Sequence, residues 1–207
     1  MYQTECMRFA PTSFRPAFGR VLSIIVVAIA AAGIAGFVAT GDWTGLLRFG
    51  WGLALLALAA VALFWLPSLD VAEHEVTVRN VFSTVHVPWP AIQRIDTKYA
   101  LTLYTPRGKV TAWASPAPNR YAGQVSASAD SRLPGASLGG SIRPGDLLST
   151  ASGAAAYVIR AHWEQLRDDG HLETPVIEPG AFRRDIHWAT IVVLGVLGVA
   201  TALGFLL

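Results

Sequence analysis

Val21 to Thr40 reads VLSIIVVAIAAAGIAGFVAT, a run with no formal charge. A helix of about 20 apolar residues is what a bilayer's hydrocarbon core requires. The run is apolar all round, unlike the striped face of an amphipathic surface helix. Two further stretches share its character: Phe49–Leu69 (FGWGLALLALAAVALFWLPSL) and Ile186–Leu207. The 207-residue chain is 53% hydrophobic and only 14% charged, with mean hydropathy +0.43. Soluble domains carry about 25% charged residues, so lipid is the expected solvent for part of this chain. A chain of this size cannot enclose three such runs in one water-soluble core. Three transmembrane helices are therefore expected.

The flanks agree with this reading. Trp43, Trp51, Trp65 and Trp188 lie near the span ends, where an indole suits the headgroup level, and Pro67 suits the end of the second span. The first run is longer than a signal-peptide core, and Ala39-Thr40-Gly41-Asp42 makes a poor cleavage site, so it is expected to stay as a span. Residues 1–20 carry Arg8, Arg15 and Arg20, the loop 41–48 carries only Arg48, and Arg183 and Arg184 precede the third span. Positive residues stay inside. The tail 1–20 and the segment 70–185 are thus expected on the cytoplasmic side of the cell membrane, with the carboxy terminus outside.

Between Asp70 and Asp185 the texture changes. Twelve Lys and Arg face twelve Asp and Glu, a balance that does not suit nucleic acid. Short β-patterned segments follow one another: Glu75–Asn80, Thr84–Val87, Ile92–Thr97, Ala100–Thr105 and Lys109–Ala114. Val76 and Val78 alternate onto one face, as do Leu101 and Leu103. Pro88-Trp89-Pro90 and Arg107-Gly108 supply turn chemistry, and connections this short imply antiparallel pairing. From Pro116 to Gly153, 23 of 38 residues are Gly, Ala, Ser or Pro. Residues 116–150 therefore read as a flexible insertion. A helix is expected from about Ser152 to Asp169, with Ala156, Ile159, Trp163 and Leu166 as its apolar stripe. Thr150 or Ser152 would cap it and Gly170 would end it. Residues 171–185 read as a linker into the third span. The fold class is then a membrane protein with three spans and a small α+β domain in 70–170.

The runs V76-T-V-R-N, T84-V-H-V-P-W-P-A-I-Q-R-I-D-T, A100-L-T-L-Y-T-P and A112-W-A-S-P-A-P carry a resemblance. They resemble the pleckstrin-homology-like (PH-like) domain of small actinobacterial membrane proteins, in which two transmembrane helices precede the domain. The resemblance covers about residues 20–120 well and the 152–168 helix loosely. It implies an antiparallel β-barrel or sheet capped by a carboxy-terminal helix. The third span and the long insertion depart from that pattern.

No catalytic constellation is visible. The GxxxxGK[ST] and GxSxG patterns are absent, and His74, His86, His162, His171 and His187 lack metal-ligand spacing. Lone Cys6 excludes an intramolecular disulfide, and no cofactor is expected. Asp96 is expected to accept backbone hydrogen bonds at a strand end, and no deep pocket of convergent polar groups is expected around Arg94, Asp96 and Lys98. Binding candidates are Arg79, Val81, Phe82, Arg94 and Lys98, with Val81-Phe82 as an exposed contact pair. Phosphoinositide recognition needs a Lys/Arg cluster between early strands, and Asn80–Ser83 has only Arg79 beside it. The favoured reading is a non-catalytic membrane-anchored module for protein–protein contact or self-association. The alternative is a subunit of a larger membrane complex acting through its helices, where Ala32, Gly33, Ala35, Gly36, Gly195, Gly198 and Gly204 offer small faces.

Overall fold

The computed structural model describes residues 11–116, 150–170, 172 and 182–206. The chain divides into two compact units: a sheet domain (Met1–Arg15, Ser68–Arg79, Val85–Arg184) and a helical unit (Pro16–Pro67, Asn80–Thr84, Asp185–Leu207).

In the helical unit, α1 (Ala17–Thr40), α2 (Trp43–Phe64) and a carboxy-terminal helix (Trp188–Leu206) are each long and apolar enough to cross a membrane. Gly41 closes α1 in the left-handed conformation (φ 69°), and Asp42 caps α2 by accepting from the Gly45 amide at 2.8 Å. The turn between these helices is therefore only two residues long. Two expected boundaries of the second span change. It starts at Trp43, after the Asp42 cap, and takes in Arg48, whose guanidinium lies 5.7 Å from the Phe49 ring centroid. It ends at Phe64 because Ser68–Val71 forms a strand whose Leu69 is fully buried. An uncharged run does not distinguish burial in hydrocarbon from burial in a protein core.

The sheet domain opens with β1 (Thr12–Phe14), which pairs antiparallel with β2 (Ser68–Val71) in the register Thr12↔Val71. Residues 12–14 are thus part of the fold and not of a free tail. Then follow β3 (Glu75–Arg79), β4 (Ser83–Pro88), a 3-10 turn (Trp89–Ala91), β5 (Arg94–Asp96), β6 (Ala100–Thr105) and β7 (Gly108–Pro116). The first sheet has the order β1-β2-β3-β4-β8, where β8 is Arg183–Ile186, a stretch expected to be linker; the second has the order β5-β6-β7. The two sheets are separate among the described residues, so of the β-barrel or sheet that the resemblance implies, the sheet form is present and not a closed barrel. Alternation puts Val76 and Val78 (β3), Val85 and Val87 (β4), and Leu101 and Leu103 (β6) into one core. At the tight β6–β7 turn Gly108 takes φ 121°, which other residues rarely adopt.

The amphipathic helix follows as α3 (Ala151–Asp168) and packs on β5, β6 and β7; the third apolar helix is α4. Thr150 caps α3, its hydroxyl accepting from the Gly153 amide at 3.0 Å. Ala156 and Ile159 enter the core and Trp163 and Leu166 pack at its margin, so the stripe read from the sequence is the buried one. The expected insertion lies outside the described residues apart from its ends, as does most of the expected linker.

Small residues set the helix contacts. A methyl at Gly204 of α4 would lie 2.7 Å from the Arg48 carbonyl oxygen of α2. One at Gly19 of α1 would lie 2.9 Å from the Phe64 carbonyl oxygen. Backbones approach this closely only where no Cβ intervenes. Gly36, Gly195 and Gly198 meet nothing within 4 Å among the described residues.

Candidate functional site

β5 and α3 frame a groove of about 230 Å³. Its floor begins where the 3-10 turn ends. There Trp89 is buried, donates its indole N–H to the Ala72 carbonyl at 3.1 Å, and meets His162 of α3 edge-on, with centroids 4.7 Å apart. This anchor holds the chain as it turns into Ile92 and Gln93, and the Gln93 amide donates to the Tyr104 carbonyl at 2.9 Å. From the strand side the groove is lined by Ile92, Gln93, Arg94 and Ile95. From the helix side it is lined by Arg160, Trp163 and Glu164, which helical spacing places on one face. The Arg167 guanidinium lies 5.8 Å from the Trp163 ring centroid. The groove therefore has an apolar floor, an indole wall and a rim with both signs of charge. β5 is the terminal strand of its sheet, pairing with β6 in the register Ile95↔Leu103. A terminal strand presents one row of backbone donors and acceptors to whatever lies beside it.

The five residues proposed from the sequence do not converge. Arg94 lines the groove and stacks over Tyr104, 4.2 Å from the ring centroid, with Asp96 at 3.6 Å. Lys98 lines a different space, a cavity of about 400 Å³ on the outer face of β6 and β7 with Asp96, Tyr99, Tyr104 and Lys109. Arg94 is not among the residues that line it. The Asp96 carboxylate is engaged in its own turn, accepting from the Thr97 amide at 2.9 Å and the Lys98 amide at 3.3 Å. Arg79 is exposed at the end of β3.

Val81 is corrected from contact residue to buried residue. It is 1% exposed, and its carbonyl accepts from His187 Nδ1 at 3.2 Å, while Phe82 remains exposed. The His187 amide donates to the Phe82 carbonyl at 2.9 Å, and its Nε2 meets the Thr84 hydroxyl at 2.9 Å. These three bonds tie the start of α4 to the Asn80–Thr84 segment. Nothing in the sequence spacing of residues 81 and 187 announces them.

Other polar clusters have simpler geometry. Glu75, Thr77 and His86 form a half-buried group in which His86 Nδ1 lies 2.7 Å from Glu75 and 3.3 Å from Thr77. Both of these partners meet the same ring nitrogen. Among the described residues no group of three His, Cys, Asp or Glu could hold a metal ion.

Residues 66–136 match the family model of the bacterial PH domain, a segment that runs from the end of the second span through β7 and beyond. The chain thus contains a bacterial PH domain alongside helices long and apolar enough to span a membrane. No curated protein and no solved structure gives a significant match.

Proposed function

We propose that this PH domain-containing membrane protein is a non-catalytic scaffold that binds an extended segment of a partner protein along β5. The supporting observation is the groove itself, where a terminal strand lies beside an indole and a two-sign charged rim. A peptide adding to such a strand gains main-chain hydrogen bonds, and alternate side chains find pockets that set specificity. Trp163 would be the anchor, since a partly buried indole in a groove is a common binding hot spot. Arg160, Glu164 and Arg94 would select the charge of the bound segment. Burial of Val81 and the single Arg79 near that turn leave no cationic cluster for a phosphorylated headgroup between β3 and β4. The arginines of residues 1–20 favour a cytoplasmic domain.

The test uses the full chain in lipid nanodiscs and a displayed library of random peptides. Selected peptides should bind the wild type and lose about 2 kcal/mol against Trp163→Ala, a hot-spot magnitude. Glu164→Arg, which leaves the core intact, should invert the charge preference of the selected sequences. Selection of no peptide, or peptides indifferent to both changes, would remove the proposal.

A second reading draws on the helical unit. Gly36 of α1 and Gly195 and Gly198 of α4 meet no close neighbour among the described residues and Ala32 is exposed, so each helix offers small positions suited to a further helix. On that reading the protein is a subunit of a larger membrane complex. Mass determination after gentle detergent extraction separates the two, since only the second requires a defined heteromer held by the helices.

A further inference from the structure

We infer that the α1–α2 hairpin carries a specific site for one anionic phospholipid, with its acyl chain in a groove between the helices and its phosphate at Arg20. The groove has a volume of about 420 Å³ and is lined by Ser23, Ile24, Val27, Ala28 and Ala31 of α1 and by Val61 and Trp65 at the end of α2. It extends along roughly 12 Å of α1, taking a rise of about 1.5 Å per residue. At one end stands Arg20, whose guanidinium carbon lies 5.6 Å from the centre of the Trp65 ring.

Arg20 decides the occupant. Its Nε is buried and has no hydrogen-bond partner among the described residues. A guanidinium has five N–H donors in a planar fork and stays charged at any ordinary pH. With Nε buried and the Trp65 ring nearby, the fork stands at the end of the groove and its terminal nitrogens call for an acceptor. Arg20 belongs to the first turn of α1 and Trp65 follows the last turn of α2, so both stand at the same end of the hairpin. Tryptophan and arginine at a span end mark the headgroup level, where phosphodiester oxygens are found. Below that level the lining is apolar except for Ser23, as an acyl chain requires. An apolar partner helix would fill the groove but leave the guanidinium unmet. A phospholipid satisfies both ends at once, and a headgroup of net negative charge is favoured over a zwitterionic one, whose ammonium offsets the phosphate.

The experiment is native mass spectrometry of the full chain in a mild maltoside detergent, titrated with phosphatidylglycerol or phosphatidylcholine of identical acyl chains. The wild type should retain one phosphatidylglycerol with about fivefold preference, the magnitude of one arginine near an anionic headgroup. Arg20→Gln should bring that ratio close to one, while Arg48→Gln, a span-end arginine outside the groove, should leave it unchanged. Ala28→Phe, which fills the groove from an exposed position, should lower retention of both lipids. Equal retention of the two lipids by the wild type would overturn the inference. So would an unchanged preference in Arg20→Gln, unchanged retention in Ala28→Phe, or a lipid-free dimer in place of the lipid-bound chain.

Discussion

Val76, Val78, Leu101 and Leu103 are wholly shielded in the sheet domain, whereas Val196, Val199 and Leu203 of α4 are each more than half exposed. The residue types are the same, and the difference lies in what surrounds them. In the sheet domain, apolar area leaves water by entering the protein, a gain of about 25 cal/mol per Å². In the helical unit the outward valines and leucines would forfeit that gain in water, and they sit on helices long and apolar enough to cross a membrane. The contrast extends to what holds each unit together. Large side chains fill the domain core, but the helices approach through glycines, because lipid tails supply no hydrophobic drive for helices to associate. Loss of a side chain should therefore hurt the domain, and gain of one should hurt the helices.

The largest effect should come from Trp89→Ala. This change empties a core site and orphans the Ala72 carbonyl, so the domain should lose about 3–5 kcal/mol, read as lost hydrogen-exchange protection in β2 and β6. Trp188→Ala, with an exposed indole at the start of α4, should leave that protection unchanged. Next comes Val196→Arg, which puts a charge where the helix faces lipid. Its insertion should be disfavoured by about 2.5–3.5 kcal/mol, measured as the inserted fraction in a translocation assay. Gly204→Ala should destabilise the α2–α4 contact by about 1–3 kcal/mol, because the new methyl meets backbone that cannot yield. Gly198→Ala, in open space, should stay within about 0.5 kcal/mol by the same thermal unfolding in detergent. A smaller loss than at Gly204 is expected of Thr150→Ala, which removes the α3 cap and should cost about 1 kcal/mol in domain stability by denaturant titration. If Trp188→Ala proved as damaging as Trp89→Ala, the two units would not differ as described.

The same contrast explains what could be read from the sequence. Long charge-free runs have one meaning at their centres, so three helices were legible, and the 3–4 spacing of Ala156, Ile159, Trp163 and Leu166 located α3 with its buried face. Ends were less legible. Leu69 looks like more of α2, yet it belongs to β2, because apolarity does not name its solvent. β1 and β8 are short and mostly polar, and Thr12–Phe14 becomes a strand only once Val71 is beside it. The groove was half visible: Arg94 stood out for its charge, whereas Trp163 read only as core stripe. Their proximity is set by how α3 crosses the second sheet, which local pattern does not encode. Val81 misled for the opposite reason, since a valine in a polar turn looks exposed until His187 is placed against its carbonyl.

Hydrogen exchange of the full chain in nanodiscs, with and without a library-selected peptide, tests whether the PH domain receives an extended segment along β5 as proposed. The predicted result is slower exchange confined to residues 92–96 and 160–164, with α1, α2 and α4 unchanged. Peptide binding that slows exchange in the helices and leaves β5 untouched would contradict it.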